Sequence, residues 1–195
     1  MAKAVVVEPY NAEWPQRFSE LHSLLWPAVQ GFALTIEHVG STSVPGLAAK
    51  PIIDLDIIIP DMSALPLTIT ALAKIGYEHR GNLGIQDREA FKHPNPKITH
   101  NLYVCPQDSI SLRNHVCLRD ALRADTKLRD EYSDLKFQLA AKFPDSIDDY
   151  IEGKTEFILR ILASNGYGPD SLEAIRLANQ APPRLQSDPS SRGSG

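Results

Sequence analysis

The chain has 195 residues, 43% of them hydrophobic and 23% charged, with a formal net charge of −4. That length suits one domain able to bury its own core, perfectly ordinary globular proportions follow from the composition, and the negative total argues against a general nucleic-acid binder. Cys105 and Cys117 are the two cysteines, and their spacing fits neither a disulfide framework nor a CxxC motif. No cleavage-site pattern follows the short apolar N-terminal patch, and no apolar run approaches the ~20 residues of a membrane helix. A reducing cytoplasm and no membrane partner are the expectation.

In chain order, Val5 to Val7 predicts a short edge strand that Pro9 ends. Asn11 is placed to cap a helix running to about Gln30, in which Trp14, Phe18, Leu21 and Leu25 form one apolar stripe. Residues 33 to 39, ALTIEHV, read as a strand followed by a small-residue turn, Gly40, Ser41, Thr42 and Ser43. The next strand, residues 51 to 59, carries the apolar run Ile52, Ile53, Leu55, Ile57, Ile58 and Ile59 expected of a strand covered on both faces.

Asp54 and Asp56 interrupt that run. Side chains alternate along a strand, so the two acids share a face roughly 7 Å apart. Two carboxylates on one face of a buried strand repel each other and lose hydration, and a divalent cation is the simplest compensation. Either Asp alone could be a cap or a turn former. Paired inside a buried run, they make a stronger candidate.

Residues 63 to 75 have helical spacing with Gly76 as the stop. Residues 77 to 91 read as a bent pair of short strands, 93 to 97 as a turn, and 98 to 104 (ITHNLYV) as a strand with His100 on one face and Asn101 and Tyr103 on the other. Three helices follow: one bearing Leu112, Val116, Arg119 and Arg123, one bearing Leu128, Tyr132, Leu135, Leu139 and Phe143, and one from about 145 to 164. A short helix is expected over 171 to 180, and the Pro-, Ser- and Gly-rich tail reads as disordered. The pattern predicts an α+β fold, a mixed sheet flanked by helices with a helical C-terminal half. Residues 1 to 166 form its domain, and 167 to 195 are an appendage.

Val39-Gly40-Ser41, twelve intervening residues and Asp54-Leu55-Asp56 resemble the signature of the DNA polymerase β-like nucleotidyltransferase superfamily. The longer stretch HVGSTSVPGLAAKPIIDLDI, with HNLYV and RNHVCLRDALR, resembles the GrpB family (UPF0157), a branch of it. The resemblance implies a nucleotidyltransferase-like fold, with Gly40, Ser41, Thr42 and Ser43 against a triphosphate. It also implies Mg²⁺ or Mn²⁺ on Asp54 and Asp56 as catalytic carboxylates, a nucleotide and a small acceptor as partners, and Arg119 and Arg123 as a basic wall. Arg88, in REAF, is a further phosphate candidate by the same resemblance.

Active members of the superfamily carry a third carboxylate on a later strand, where this chain has His100-Asn101-Leu102-Tyr103. His100 and Asn101 can ligate a metal but bring no negative charge, and Asp87 or Glu89 is the alternative source. Lys50 could reach a phosphate as a point charge or stay solvated. Tyr150 and Lys154 share a helical face and read as structural, His38 as a core histidine, and His115 as weaker still. Three functions remain open on this basis: a metal-dependent nucleotidyltransferase, a non-catalytic nucleotide- or phosphometabolite-binding module like the GrpB domains appended to dephospho-coenzyme A kinases, and an interaction domain.

Overall fold

The computed structural model describes residues 4–179, so the tail's expected disorder falls outside them. The element order is α1 (Trp14–Val29), β1 (Thr35–Val39), β2 (Ile53–Ile59), α2 (Leu65–Lys74), β3 (Glu78–His79), β4 (Glu89–Lys92), β5 (His100–Pro106), α3 (Ile110–Ala124), α4 (Thr126–Lys142), α5 (Ile147–Ser164) and α6 (Pro169–Asn179). The five strands form one sheet in the order β1-β2-β5-β4-β3. β2 runs parallel to β5, and the other pairs are antiparallel. The fold is therefore the expected α+β mixed sheet.

The continuous apolar run of β2 has a simple cause, since helices cover both of its faces. Ile53, Leu55, Ile57 and Ile59 pack with Trp14, Leu21, Leu25 and Val29 of α1 and Leu72 of α2. On the other face, Ile58 joins Cys105, Leu112 and Val116 under α3. Asp54 and Asp56 lie on that second face, and α3 covers only part of it.

Two predicted elements differ. Val5 to Val7 make no strand; Val5 N–H donates to the Pro144 carbonyl, and just beyond the segment Glu8 forms an isolated antiparallel bridge with Ala49. Val5 instead packs with Leu139 and Tyr150, so its hydrophobicity serves a helix pair. The strand expected over 98 to 104 lies at His100–Pro106, with consequences for the site.

The segment joining β1 to β2 is held from outside by the C-terminal helices. Val44 and Leu47 insert among Leu122, Tyr132, Phe157 and Ile161. Ser133 Oγ accepts from Ala48 N–H at 3.1 Å, and Lys136 Nζ donates to the Ala48 carbonyl. Lys136 is 1% exposed, and its nitrogen sits 4.4 Å from the centre of the Tyr132 ring. Burial, with the neighbouring Lys154 charge, pushes it down to about 6.

An unfolded lysine titrates near ~10.4, so between pH 6 and that value the unfolded chain binds more protons and stability rises with pH; below 6 the contribution is flat. The difference in unfolding free energy between wild type and Lys136→Met should therefore shift toward wild type by up to about 1.4 kcal/mol per pH unit between pH 6.5 and 9. Urea denaturation across that range checks it, and a pH-independent difference would show that Lys136 is charged in the folded protein.

Candidate functional site

β1 ends at Val39, and the backbone then turns through Gly40 into a single 3-10 turn, Ser41–Ser43. Gly40 has φ 68°, and a Cβ there would collide with the Asp54 carboxylate. Only glycine allows both the left-handed conformation and this close approach. Ser43 Oγ donates to the Gly40 carbonyl at 2.6 Å, and Thr42 Oγ1 donates to the Ile52 carbonyl. With its own proton so used, the Thr42 hydroxyl accepts from His38 Nε2–H at 3.1 Å. The His38 ring stacks on Phe18 at 4.6 Å, and burial followed by the Arg123 and Arg119 charges pushes it down to about 4. His38 is thus a neutral core histidine, as expected. Thr42 and Ser43 spend their hydroxyls on the turn itself, while the Ser41 side chain, half-buried, stays available.

The register settles which face meets the acids. Asp54 pairs with Asn101 and Asp56 with Tyr103, while β1 places Val39 and Glu37 opposite them. Asn101 Nδ2 donates to Asp54 Oδ1 at 2.7 Å. His100 points to the other face, donates through Nδ1 to the Ile98 carbonyl and accepts from the Tyr77 hydroxyl at 2.8 Å. It lines a separate cavity of about 400 Å³ with Tyr77 and His93, and is no ligand of this site. Glu89 pairs with Val104 in register and binds His79 at 2.6 Å, so it supplies no third carboxylate either.

Asp56 is 0% exposed. Its Oδ2 lies 2.7 Å from His115 Nδ1, and its Oδ1 is buried without a partner among the described residues. Burial lowers the His115 pKa, but the Asp56 charge and hydrogen bond outweigh it and the net shift is upward. Asp54 is raised by burial, against the Asn101 bond and the His115 charge. The sequence signal for His115 is its place on one helical stripe with Arg119 and Arg123, at i, i+4 and i+8.

The two arginines of that stripe do different work from the basic wall expected of them. Arg119 binds Glu37 Oε2 at 2.7 Å, the His38 carbonyl at 3.1 Å and Asp120. Arg123 forks onto the Ser43 carbonyl at 3.1 and 2.7 Å. Both hold the turn from beneath. Two cations couple to Asp54, Lys50 just before β2 and Lys154 on α5, which lie 5.8 and 4.5 Å from the Tyr150 ring centre. Burial, followed by the Lys50 charge and opposed by Asp54, pushes Lys154 down to about 8. A cleft of about 580 Å³, lined in part by Lys50, Ile52 and Thr99, opens at the N-terminal end of β2.

Among the described residues no group of three or more His, Cys, Asp and Glu side chains is arranged to hold a metal. Two hard carboxylates, one with a buried oxygen lacking any donor, nevertheless fit a cation such as Mg²⁺, which keeps waters and shares phosphate oxygens rather than demanding a full protein cage. Asp54 and Asp56 would hold it.

The model of the family described as GrpB protein matches residues 4–164. The chain belongs to the GrpB family. GrpB of Enterococcus faecalis, known from a crystal structure, superposes with a TM-score of 0.72 at 34% identity, covering 88% of this chain and 98% of that one. The UPF0157 protein YqkA of Bacillus subtilis is 38% identical over 149 residues, which are 76% of this chain but only 43% of YqkA. The structure of the GLD-2/RNP-8 complex aligns with a TM-score of 0.53 at 18% identity, covering 83% of this chain and 62% of that one. That likeness marks the fold as nucleotidyltransferase-like.

In this GrpB chain Gly40→Ala should cost about 1–3 kcal/mol in stability and displace Asp54, whereas Arg123→Leu should lower stability less while loosening the turn. Thermal denaturation with hydrogen exchange of the 40–48 amides checks both. Unchanged exchange in Arg123→Leu would show that the guanidinium does not hold the turn.

Proposed function

We propose that the protein is a metal-dependent nucleotidyltransferase that moves a nucleoside monophosphate from an NTP to a small acceptor. The observation that carries the reading is the Asp54 and Asp56 pair on one face, closed against the Gly40 turn and containing a buried oxygen without a donor. The triphosphate would lie on the Ser41 hydroxyl and the turn's backbone, with Lys50 and Lys154 as counter-charges. A cation held by Asp54 and Asp56 would neutralise phosphate charge and acidify the acceptor hydroxyl. In the transfer, the acceptor oxygen bonds to the α-phosphorus as the bond from it to the β-phosphate's bridging oxygen breaks. Pyrophosphate leaves, and the hydroxyl proton passes to solvent.

A second reading has its own support. Asn101 occupies the β5 position beside Asp54 where a third carboxylate would stand, which favours a module that binds a nucleotide or phosphometabolite without turning it over.

Thermal melting with each of the four NTPs, with and without Mg²⁺ or Mn²⁺, tests both. A ligand at 100 times its dissociation constant stabilises by about 2.7 kcal/mol. A metal-dependent rise lost in Asp54→Ala, together with pyrophosphate release on addition of acceptor mixtures, is the expected result. Stabilisation without release supports the binding module. No metal-dependent stabilisation by any NTP contradicts the transfer reading, and no stabilisation by any NTP with or without metal contradicts a nucleotide-binding module.

A further inference from the structure

Among the arginines close to the acidic pair, Arg119 and Arg123 are consumed by Glu37, Asp120 and carbonyl oxygens. Arg88 is different. It lies just before β4, on the far side of β5 from the Gly40 turn. Its guanidinium carbon sits 4.3 Å from the centre of the Tyr103 ring, and Tyr103 is the register partner of Asp56. It forms no hydrogen bond or ion pair among the described residues, and its Nε is buried without an acceptor. Asn114, next to His115 on α3, has a buried Oδ1 that also lacks a partner.

A half-buried guanidinium flattened on an aromatic ring keeps its fork of donors in a fixed plane. A buried guanidinium nitrogen with no acceptor is uncommon in a folded protein, where buried polar groups are almost always satisfied. The species that satisfies such a fork is a planar or tetrahedral oxyanion bound through two oxygens.

The sheet order says which ligand that anion belongs to. An in-line displacement puts the attacking and leaving oxygens on opposite sides of the phosphorus. The Gly40 turn flanks the acids from the β1 side and Arg88 from the β4 side. With pyrophosphate leaving over the turn, the acceptor arrives past Tyr103. We propose that Arg88, set on Tyr103, recognises an anionic group on the acceptor, a carboxylate or a phosphate monoester carried by an alcohol. This rests on the nucleotidyltransferase reading for the word acceptor, and on the unpartnered Arg88 for the anion.

Calorimetric titration of the full chain in Mg²⁺ with glycerol 3-phosphate, glycerate and glycerol tests it. At least one anionic alcohol should bind at least tenfold more tightly than glycerol, and whichever anion binds better names the headgroup. Arg88→Gln should weaken that binding at least tenfold, the range of a charge-assisted bond, and Arg88→Lys by less, because the charge survives and the fork does not. Mg-NTP should not displace the anion, and NTP affinity, which a nucleotide-side role would move, should stay within twofold in Arg88→Gln. Equal binding of glycerol, an unaffected Arg88→Gln, or displacement of the anion by NTP would each overturn the proposal. If Arg88→Gln fails to fold, the wild-type ranking of the three probes and Arg88→Lys still decide. Arg88-dependent anion binding in a protein that binds no NTP would overturn the acceptor role, and the missing NTP response would mark the transfer reading as the part that failed.

Discussion

The structure depends on the hold that helices α3 and α4 keep on the backbone from the end of β1 to the approach to β2. Arg119 reaches the His38 carbonyl, Arg123 the Ser43 carbonyl, Arg129 the Pro45 carbonyl, and Ser133 and Lys136 the two polar groups of Ala48. A loop rich in small residues has few contacts of its own and a large conformational entropy to lose. Here five side chains from two helices satisfy its polar groups in turn, while Val44 and Leu47 anchor it in the helical core. The Gly40 turn is therefore fixed against Asp54 before any ligand arrives, which is what positions a phosphate-binding turn for use.

That arrangement creates an electrostatic imbalance at one point. Asp56 is wholly buried, and His115 compensates one of its oxygens while the other has no donor. Burying a carboxylate costs several kcal/mol unless it is paired and bonded, so the fold tolerates a local loss of stability at this residue. Such losses concentrate where a ligand supplies the missing partner. Asp54 is in a related position, raised by burial and steadied by Asn101.

The side-chain period of two made the shared face of Asp54 and Asp56 legible in the sequence, and the apolar run made the buried strand legible. Fold class followed from the order of patterns, and the helical stripes landed within a few residues of α1, α3, α4 and α5. Three things were not legible, each for a physical reason. Strand register is set by pairing between distant segments, so nothing local told Asn101 from His100 as the residue facing the acids. The apolar Val5 to Val7 segment satisfied a strand pattern equally well while packing on helices. An arginine's partners depend on tertiary geometry, so Arg119 and Arg123 looked like ligand contacts and turned out to brace the turn, while His115, on the same stripe, was the residue touching Asp56.

Manganese binding measured by electron paramagnetic resonance, on wild type, Asp54→Asn and Asp56→Asn, with and without NTP, tests most directly whether the buried carboxylates form a cation site. A single bound ion in wild type, tightened by NTP and lost in both variants, is the predicted result. Wild type that binds no manganese even with NTP present, or variants that bind it as well as wild type, would contradict a cation-dependent site at Asp54 and Asp56.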